Sequence, residues 1–592
     1  MLILTADEMR TADRLTVERG AASSLDLMEH AGAAVAGFVQ REFPGYRHIT
    51  VLCGGGNNGG DGFVAARRLH EAGAMVQVLL LVQPQELKGD AAVMFHRLPR
   101  VLLTGTVVAA QESALELPAI SGLIESTELF LDAVVGTGFK PPLRGVAAAL
   151  GAKLDAHSAP VIAVDLPSGW DADSRAAASP GAYRANAVVT FTAPKLAHLF
   201  GNLTSNHIGP TVAGPIVVAP IGSPDEAVKS DTGLHWCGSA AAITRAPRPP
   251  DSNKGMYGHV LVIGGSVGKS GAPSMTSLAA LRAGAGLVTA AVPASILPLV
   301  AATALELMTM PLGEAGHGVI AKSNLAEPRF SAMTKRKTVI ALGTGISGDP
   351  EAVEFVHGVV MQTNQPLVLD ADGLNAFKGR AGELDGSHRT LVLTPHPGEM
   401  ATLLGTTVKE VQANREDIAR EFAVTHHLTL VLKGWRTLVA HPDGRIAVNS
   451  TGNPGMAKAG SGDILTGIIA ALLGQYHDRV AEAVEAAVYL HGLAADFAVR
   501  EGDQHTLLAT DTLAHLRDAF GFRPQQKGLY TWIQGMPMNA APADGMSVQG
   551  VRTREMAAPE MSKRIMEPGQ QQAQQEAAQQ PGPGQQQQAV AI

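Results

Sequence analysis

In this 592-residue chain the run N-S-T-G-N-P-G-M-A-K-A-G-S-G-D-I-L-T-G, Asn449 to Gly467, carries one carboxylate, Asp463, among Gly452, Gly455, Gly460 and Gly462. An apolar stretch with helical character, Ile464–Leu473, follows directly. Glycines let successive backbone N–H groups converge, and a helix N-terminus adds partial positive charge, so the run predicts an anion hole for a phosphate. A carboxylate beside such a hole suits a general base that deprotonates a hydroxyl as it becomes phosphorylated. The bland alternative is a Gly-rich loop with Asp463 as a helix cap.

In the first half, Cys53-Gly54-Gly55-Gly56-Asn57-Asn58-Gly59-Gly60-Asp61-Gly62 formally satisfies G-x-G-x-x-G through Gly54, Gly56 and Gly59. The following strand-like run ends at Leu81-Val82-Gln83-Pro84, without the acidic residue that would hold a ribose 2′-hydroxyl. A dinucleotide oxidoreductase is therefore disfavoured, while a phosphate-binding role for the loop survives. Leu131-Asp132 leads into Ala133-Val134-Val135-Gly136-Thr137-Gly138-Phe139-Lys140-Pro141-Pro142, and Val164-Asp165 into Leu166-Pro167-Ser168-Gly169. Asn58, Asp132 and Ser168 offer hard oxygen ligands with one formal charge, which suits a monovalent cation better than magnesium. Lys195, in Ala193-Pro194-Lys195, is a candidate phosphate contact against the commoner reading of a solvated lysine.

These loops need strands to position them. Strand-like runs recur at Ile49–Leu52, Met75–Val82, Leu129–Val135, Val161–Val164, Ala187–Phe191 and Ile216–Val218, after a helical opening over residues 1–39. In the second half Leu367–Asp370 ends in D-A-D-G-L-N, Leu391-Val392-Leu393 in T-P-H-P-G-E, and Leu428–Leu432 in Lys433-Gly434-Trp435-Arg436-Thr437. Strands with polar tips followed by helical stretches predict an α/β fold of two doubly wound three-layer domains, with sites at the strand C-termini. The domains are expected at 1–222 and 254–523, joined by a Pro-, Ser- and Asp-rich linker at 223–253. From about Pro524 a Met/Pro-rich stretch gives way to glutamine tracts, predicting a disordered tail over 524–592.

Taken together, Lys254-Gly255-Met256-Tyr257-Gly258, Gly264-Gly265-Ser266, A-L-R-A-G-A-G-L from Ala280, the D-A-D-G-L-N, T-P-H-P-G-E and L-K-G runs, and G-S-G-D resemble the ADP-dependent NAD(P)H-hydrate dehydratases of the ribokinase-like superfamily. The first half, through G-G-G-N-N-G-G-D-G, resembles the NAD(P)H-hydrate epimerases. In order along the chain the two resemble the bifunctional NAD(P)H-hydrate repair family, from near Met1 to about Phe522.

The resemblance implies an isomerase that interconverts R and S hydrates of NADH and NADPH. It also implies a lyase that uses ADP, with Mg²⁺, to phosphorylate the hydroxyl of the S hydrate and eliminate phosphate. It implies K⁺ on Asn58, Asp132 and Ser168, with Asp132 the expected acid/base group. Implied hydrate contacts in the first half are Asn57, Asn58, Gly59, Gly60, Asp61, Gly136, Thr137, Gly138, Phe139, Lys140, Pro141, Pro142 and Asp165. In the second half they are Ala272, Gly345, His396 and Asp463, with nucleotide at Lys433, Gly434, Trp435, Arg436, Thr437 and Gly462 and with Asp463 as base. Glu399 is a candidate for orienting Mg²⁺. Lys458 and Ala459 depart from the family's usual A-T-G/S-G-S-G-D, and a left-handed backbone at Ala459 would be strained. Gly343-Thr344-Gly345 replaces the commoner G-P-G. The alternative is a ribokinase-like small-molecule kinase fused to a non-catalytic Rossmann-like binding module.

Composition narrows the partners. Hydrophobic residues make up 46% and charged residues 17%, and the net charge of −8 with no basic run gives nucleic acid no electrostatic footing. The two cysteines, Cys53 and Cys237, form no C-x-x-C pair, which fits a reducing cytoplasmic setting better than a disulfide framework. The start, Met1-Leu2-Ile3-Leu4-Thr5-Ala6-Asp7-Glu8, lacks the features of a signal peptide. The charge-free stretch between Arg282 and Glu306 is long enough to span a bilayer, but its glycines and prolines predict a buried strand followed by a short helix. Gly264 to Gly268 leaves one residue too few for a P-loop. Small-molecule substrates and a homo-oligomer are expected, with no membrane partner.

Overall fold

The computed structural model describes residues 1–204, 213–316, 318–525 and 529–537. Its first sheet runs in the order Val107–Val108, Met75–Leu80, His48–Cys53, Leu129–Ala133, Val161–Val164, Ala187–Phe191, Ile216–Ala219 and Thr531–Gln534. All pairings are parallel except the last. Helices Ser24–Glu42 and Asn57–Glu71 cover part of one face. Alternate residues of one strand enter different cores: Val51 and Cys53 pack with Leu131 and Phe38, whereas Leu52 packs with Phe130 and Leu154. Burial on both faces explains why these strands read as continuous apolar runs rather than as alternating ones.

The second sheet has ten strands, ordered Met308–Leu312, Leu287–Pro293, His259–Ile263, Val339–Leu342, Leu367–Leu369, Leu391–Leu393, Thr429–Leu432, Leu438–Ala440, Ile446–Val448 and Leu234–Trp236. It is parallel through Thr429–Leu432, and Leu438–Ala440 is antiparallel to both its neighbours. The charge-free stretch forms the strand Leu287–Pro293 and the short helix Leu297–Ala301. Among the described residues no helix is long and apolar enough to cross a membrane.

Two departures from the sequence reading concern segments between and beyond the halves. The stretch 223–253, expected as a linker, supplies the edge strand Leu234–Trp236, which runs parallel to Ile446–Val448. Trp236 is wholly buried and donates from Nε1 to Ser450 Oγ at 2.8 Å. The tail expected to be disordered from Pro524 includes the strand Thr531–Gln534, antiparallel to Ile216–Ala219. Trp532 is 1% exposed, and Tyr530 donates to Ala34 O at 2.6 Å and sits edge-on to Phe38. The aromatic, β-branched run Tyr530–Ile533 can bury area that the glutamine tracts cannot. The rest of the expected tail, residues 538–592, lies outside the described residues.

Candidate active sites

In the first sheet, strand His48–Cys53 turns through Gly54–Gly56 into helix Asn57–Glu71. A Cβ on Gly59 would stand 2.0 Å from the Gly54 carbonyl oxygen, so the turn closes only with glycine there. Over this turn lies a cavity of about 820 Å³. Of the expected contacts, Asn57, Asn58, Asp61, Gly136, Thr137, Gly138, Phe139 and Asp165 line it. Gly59 and Gly60 instead face the turn and Met28, and Lys140 Nζ turns out to Asp171 and Asp173 at 2.7 and 3.0 Å. Pro141 and Pro142 are also absent from the lining.

Asp132 is wholly buried and does not line the cavity. Its Oδ2 accepts from Ser168 N at 2.7 Å, and its Oδ1 from Ser168 Oγ at 2.6 Å and Val134 N at 3.3 Å. Burial pushes its carboxyl up to about 6 against those hydrogen bonds. Ser168 and Val134 thus hold both Asp132 oxygens just off the cavity lining.

The carboxylate that does face the cavity is Asp165. Its Oδ1 accepts from Lys195 Nζ at 2.8 Å and Thr190 Oγ1 at 2.9 Å. Its Oδ2 accepts from Thr137 N at 2.9 Å and from Thr137 Oγ1. Burial alone would raise this group, but Lys195, His198 and the Thr137 hydrogen bonds hold it well below the usual carboxylate range. Lys195 is 1% exposed, so it is a buried counter-ion rather than a solvated lysine.

The helical opening expected over residues 1–39 includes helix Ala6–Glu18, and what sequence reasoning missed is that this helix brings Arg10, Asp13 and Arg14 to the cavity. Burial pushes Asp13 up to about 6 and Asp61 well above its ordinary value. The available signal was a carboxylate set beside the buried face Met9, Ala12 and Thr16.

Both side-chain polar atoms of Asn58 are buried and have no partner among the described residues. Asn58 Oδ1 lies 3.1 Å from where a Gly136 Cβ would stand, and Ser168 Oγ accepts from Val135 N, next to Gly136 in the same loop, at 3.0 Å. An orphaned amide oxygen, a hydroxyl and one carboxylate fit a monovalent cation.

In the second sheet the tips of Leu367–Leu369 and Thr429–Leu432 meet the N-terminus of helix Ser461–Gln475. Lys433 Nζ donates to Asp370 Oδ1 at 2.8 Å and lies 3.8 Å from Glu399 Oε2. Thr466 Oγ1 donates to Asp370 Oδ2 at 2.8 Å. Burial alone would raise Asp370, yet Lys433 outweighs it and holds the group below its ordinary value. Burial lowers Lys433 less than Asp370 and Glu399 raise it, so the ammonium persists. Nζ stands 3.3 Å from where a Gly462 Cβ would be, against the helix N-terminus. Asp463 is one residue further on, pushed up to about 6 by burial and then by Asp370.

Gly460 takes the left-handed conformation, φ 94°, just ahead of the helix, whereas Ala459 does not, so the feared strain falls on a glycine. Lys458 donates to His505 O at 2.7 Å, away from this hole. Ala272 and Gly345 are brought together: a Gly345 Cβ would stand 3.1 Å from Ala272 Cβ. Thr344, in place of the commoner proline, is buried and accepts from Gly265 N at 2.8 Å through its carbonyl. His396 caps helix Pro397–Leu404, with Nδ1 accepting from Gly398 N and Glu399 N at 3.0 and 3.2 Å. That leaves the proton on Nε2, which stands 3.5 Å from Glu399 Oε1. Glu399 accepts from His396 N at 2.8 Å, and burial raises its carboxyl.

Within the expected nucleotide loop the five residues part company. Trp435 is half-exposed, while Arg436 is 6% exposed with its guanidinium bound to protein. The Arg436 side chain thus lies inside the fold, which leaves the backbone of the loop to face a ligand.

Comparisons with known proteins cover both sites. Residues 24–197 match the family profile described as YjeF-related protein N-terminus, and residues 260–517 the one described as NAD(P)H-hydrate dehydratase. The bifunctional NAD(P)H-hydrate repair enzyme of Moorella thermoacetica is 41% identical over 530 residues, covering 87% of this chain and 96% of its own. That of Coxiella burnetii is 38% identical over 515 residues, covering 86% and 97%. A dehydratase from Bacillus subtilis, crystallised with ATP and Mg²⁺, is 30% identical over 49% of this chain and 99% of its own, with a TM-score of 0.42. Identity at that level over most of the chain, and over nearly the whole length of these relatives, makes this chain a member of the family of bifunctional NAD(P)H-hydrate repair enzymes.

Proposed function

We propose that the chain restores NADH and NADPH from their hydrates, epimerising R and S forms in the first half and dehydrating the S form with ADP in the second. The observation that carries the reading is the second site. There an ammonium, a helix N-terminus and a carboxylate poised near 6 converge on one point.

Hydroxide leaves poorly, whereas phosphate leaves well. Asp463 accepts the proton of the substrate hydroxyl as its oxygen attacks the terminal phosphorus of ADP, and Lys433 with the Gly460 and Gly462 amides stabilises the phosphoryl oxygens. The ring-nitrogen lone pair then expels phosphate, and loss of the neighbouring ring proton restores the dihydronicotinamide. Ala272, Gly345 and the Nε2–H of His396 hold the hydrate, and Lys433–Thr437 the nucleotide. Glu399, 3.8 Å from Lys433 Nζ, would help orient Mg²⁺, which would neutralise phosphate charge.

In the first half the hydroxyl-bearing ring carbon inverts by opening and reclosure. Loss of the hydroxyl proton breaks the carbon–nitrogen bond to give an aldehyde and a protonated nitrogen, and rotation with reclosure gives the other epimer. Asp132, poised near 6, is the acid/base group that takes that proton and returns it to the ring nitrogen, while Asp165, held ionised by Lys195, and Asp61 contact the substrate from the cavity wall. Asn58, Asp132 and Ser168 would hold K⁺, which supplies a fixed positive charge beside the substrate oxygens. The chain works on small molecules, in a cytoplasmic setting and as a homo-oligomer.

Two variants of the full chain test this. Asp463→Asn lowers dehydration of the S hydrate by roughly 10²–10⁴-fold and leaves epimerisation intact, while Asp132→Ala does the reverse. Loss of both activities in either variant, or of neither, contradicts the assignment.

A further inference from the structure

The loop Lys433–Thr437 is shaped from two sides. From its own half, Arg415 holds the loop carbonyls: Nη1 donates to Trp435 O, and Nη2 to Leu432 O and Arg436 O at 3.3 Å each. On the other side stands Arg436, with a φ of 53°, a conformation a bulky residue rarely adopts unless its surroundings hold it there. Its Nη1 donates to Ser450 O at 2.9 Å, and its Nη2 to Gly201 O at 3.2 Å and Gln534 Oε1 at 2.5 Å. The neighbouring Trp435 Nε1 donates to Phe200 O at 3.3 Å.

Phe200 and Gly201 belong to the first half, at the end of the short helix Leu196–Phe200 that begins at Lys195. Gln534 belongs to the C-terminal strand, and its Nε2 donates to Thr204 Oγ1 at 2.9 Å and Gly214 O at 3.1 Å. The amide of one side chain therefore spans both halves, with its oxygen on Arg436 and its nitrogen on the first half.

We infer that Gln534 is a positioning residue for the dehydratase: through Arg436 it fixes the Lys433–Thr437 loop in the form that binds nucleotide. The inference rests on the reading of that loop as the nucleotide site. It assigns the C-terminal strand and the first half a part in second-half chemistry. Without Gln534 the buried guanidinium loses an acceptor and the loop loses one of its anchors. The loss appears in nucleotide affinity rather than in the chemical step, because Gln534 touches neither Asp463 nor the hydroxyl.

The test uses the full chain, with the S hydrate and varied ADP. It also records Tm and the ADP-independent epimerisation of R hydrate. Gln534→Ala raises the KM for ADP roughly ten-fold, the size expected for losing one hydrogen bond to a charged group, with kcat and epimerisation within about two-fold. Gln534→Glu dissociates positioning from stability. It keeps a charge-assisted acceptor for Arg436 but faces Gly214 O with a carboxylate, so KM stays within about three-fold of wild type while Tm falls.

A KM that follows Tm across the two variants, or one unchanged in Gln534→Ala, overturns the proposal. If Gln534→Ala does not fold, Arg436→Lys, which keeps the charge but loses the fork, carries the same expectation of a raised KM at constant kcat. Thr437→Ala separates the two readings. An unchanged KM there removes the loop's nucleotide role and the proposal with it, whereas a raised KM there beside an unchanged one in Gln534→Ala removes the proposal alone.

Discussion

Asp463 owes its chemistry to its neighbours rather than to its own type. Burial and the nearby Asp370 raise it to about 6, while the Lys433 ammonium keeps it from rising further. A base must be ionised to act, so a group raised to about 6 is inactive well below that pH and competent above it. The kcat/KM of dehydration should therefore rise with pH through about 6 and level off at neutral pH, and Asp463→Asn should erase that limb along with most of the rate. A pH profile of wild type and variant, each at saturating ADP, measures both. At this scale the sequence was informative about residue type but not about role. Asp463 could be read as a base from its glycines, whereas Asp132 and Asp165 both stand at the C-terminal ends of neighbouring parallel strands. Only their contacts separate them: Ser168 holds Asp132 just off the cavity lining, and Lys195 holds Asp165 ionised at its wall.

Elements bring these groups together at strand tips, and the phosphate hole depends on how one helix starts. Gly460 sits at φ 94° ahead of Ser461–Gln475, where an added Cβ would meet Met275 Sδ at 2.6 Å. Gly460→Ala should cost about 1–2 kcal/mol from the left-handed backbone alone, read as a lower denaturation midpoint. It should also raise the KM for ADP by displacing the first helical amides; a variant with unchanged midpoint and KM would show that the helix start tolerates a side chain. The strands were legible because β-type runs ended in Gly/Pro-rich tips: Val161–Val164, Ala187–Phe191 and Leu391–Leu393 keep the bounds expected of them. Leu234–Trp236 was not, since it sits in Pro-, Ser- and Asp-rich sequence and gains its strand character from the neighbour it pairs with.

Over the whole molecule, the chain's beginning and its C-terminal strand are tied into sheets far away in sequence. Leu2 bridges to His235, Leu4 to Lys195, and Thr531–Gln534 closes the edge of the first sheet. Such pairings have no local signature, so an aromatic run at Tyr530–Ile533 amid Met-, Pro- and Gln-rich sequence read as tail. The buried Trp532 makes the point measurable. Trp532→Ala should destabilise the fold by about 3–5 kcal/mol in a denaturant titration, whereas a solvated tail residue would change nothing.

The central claim is that one chain carries two successive repair activities. Its most direct test incubates the purified chain with separately prepared S and R hydrates of NADH, with ADP and Mg²⁺, and follows the return of dihydronicotinamide absorbance. The account predicts recovery from both epimers, with recovery from R, but not from S, slowed by Asp132→Ala. Recovery from S alone would reduce the first half to a binding module, and recovery from neither would contradict the account.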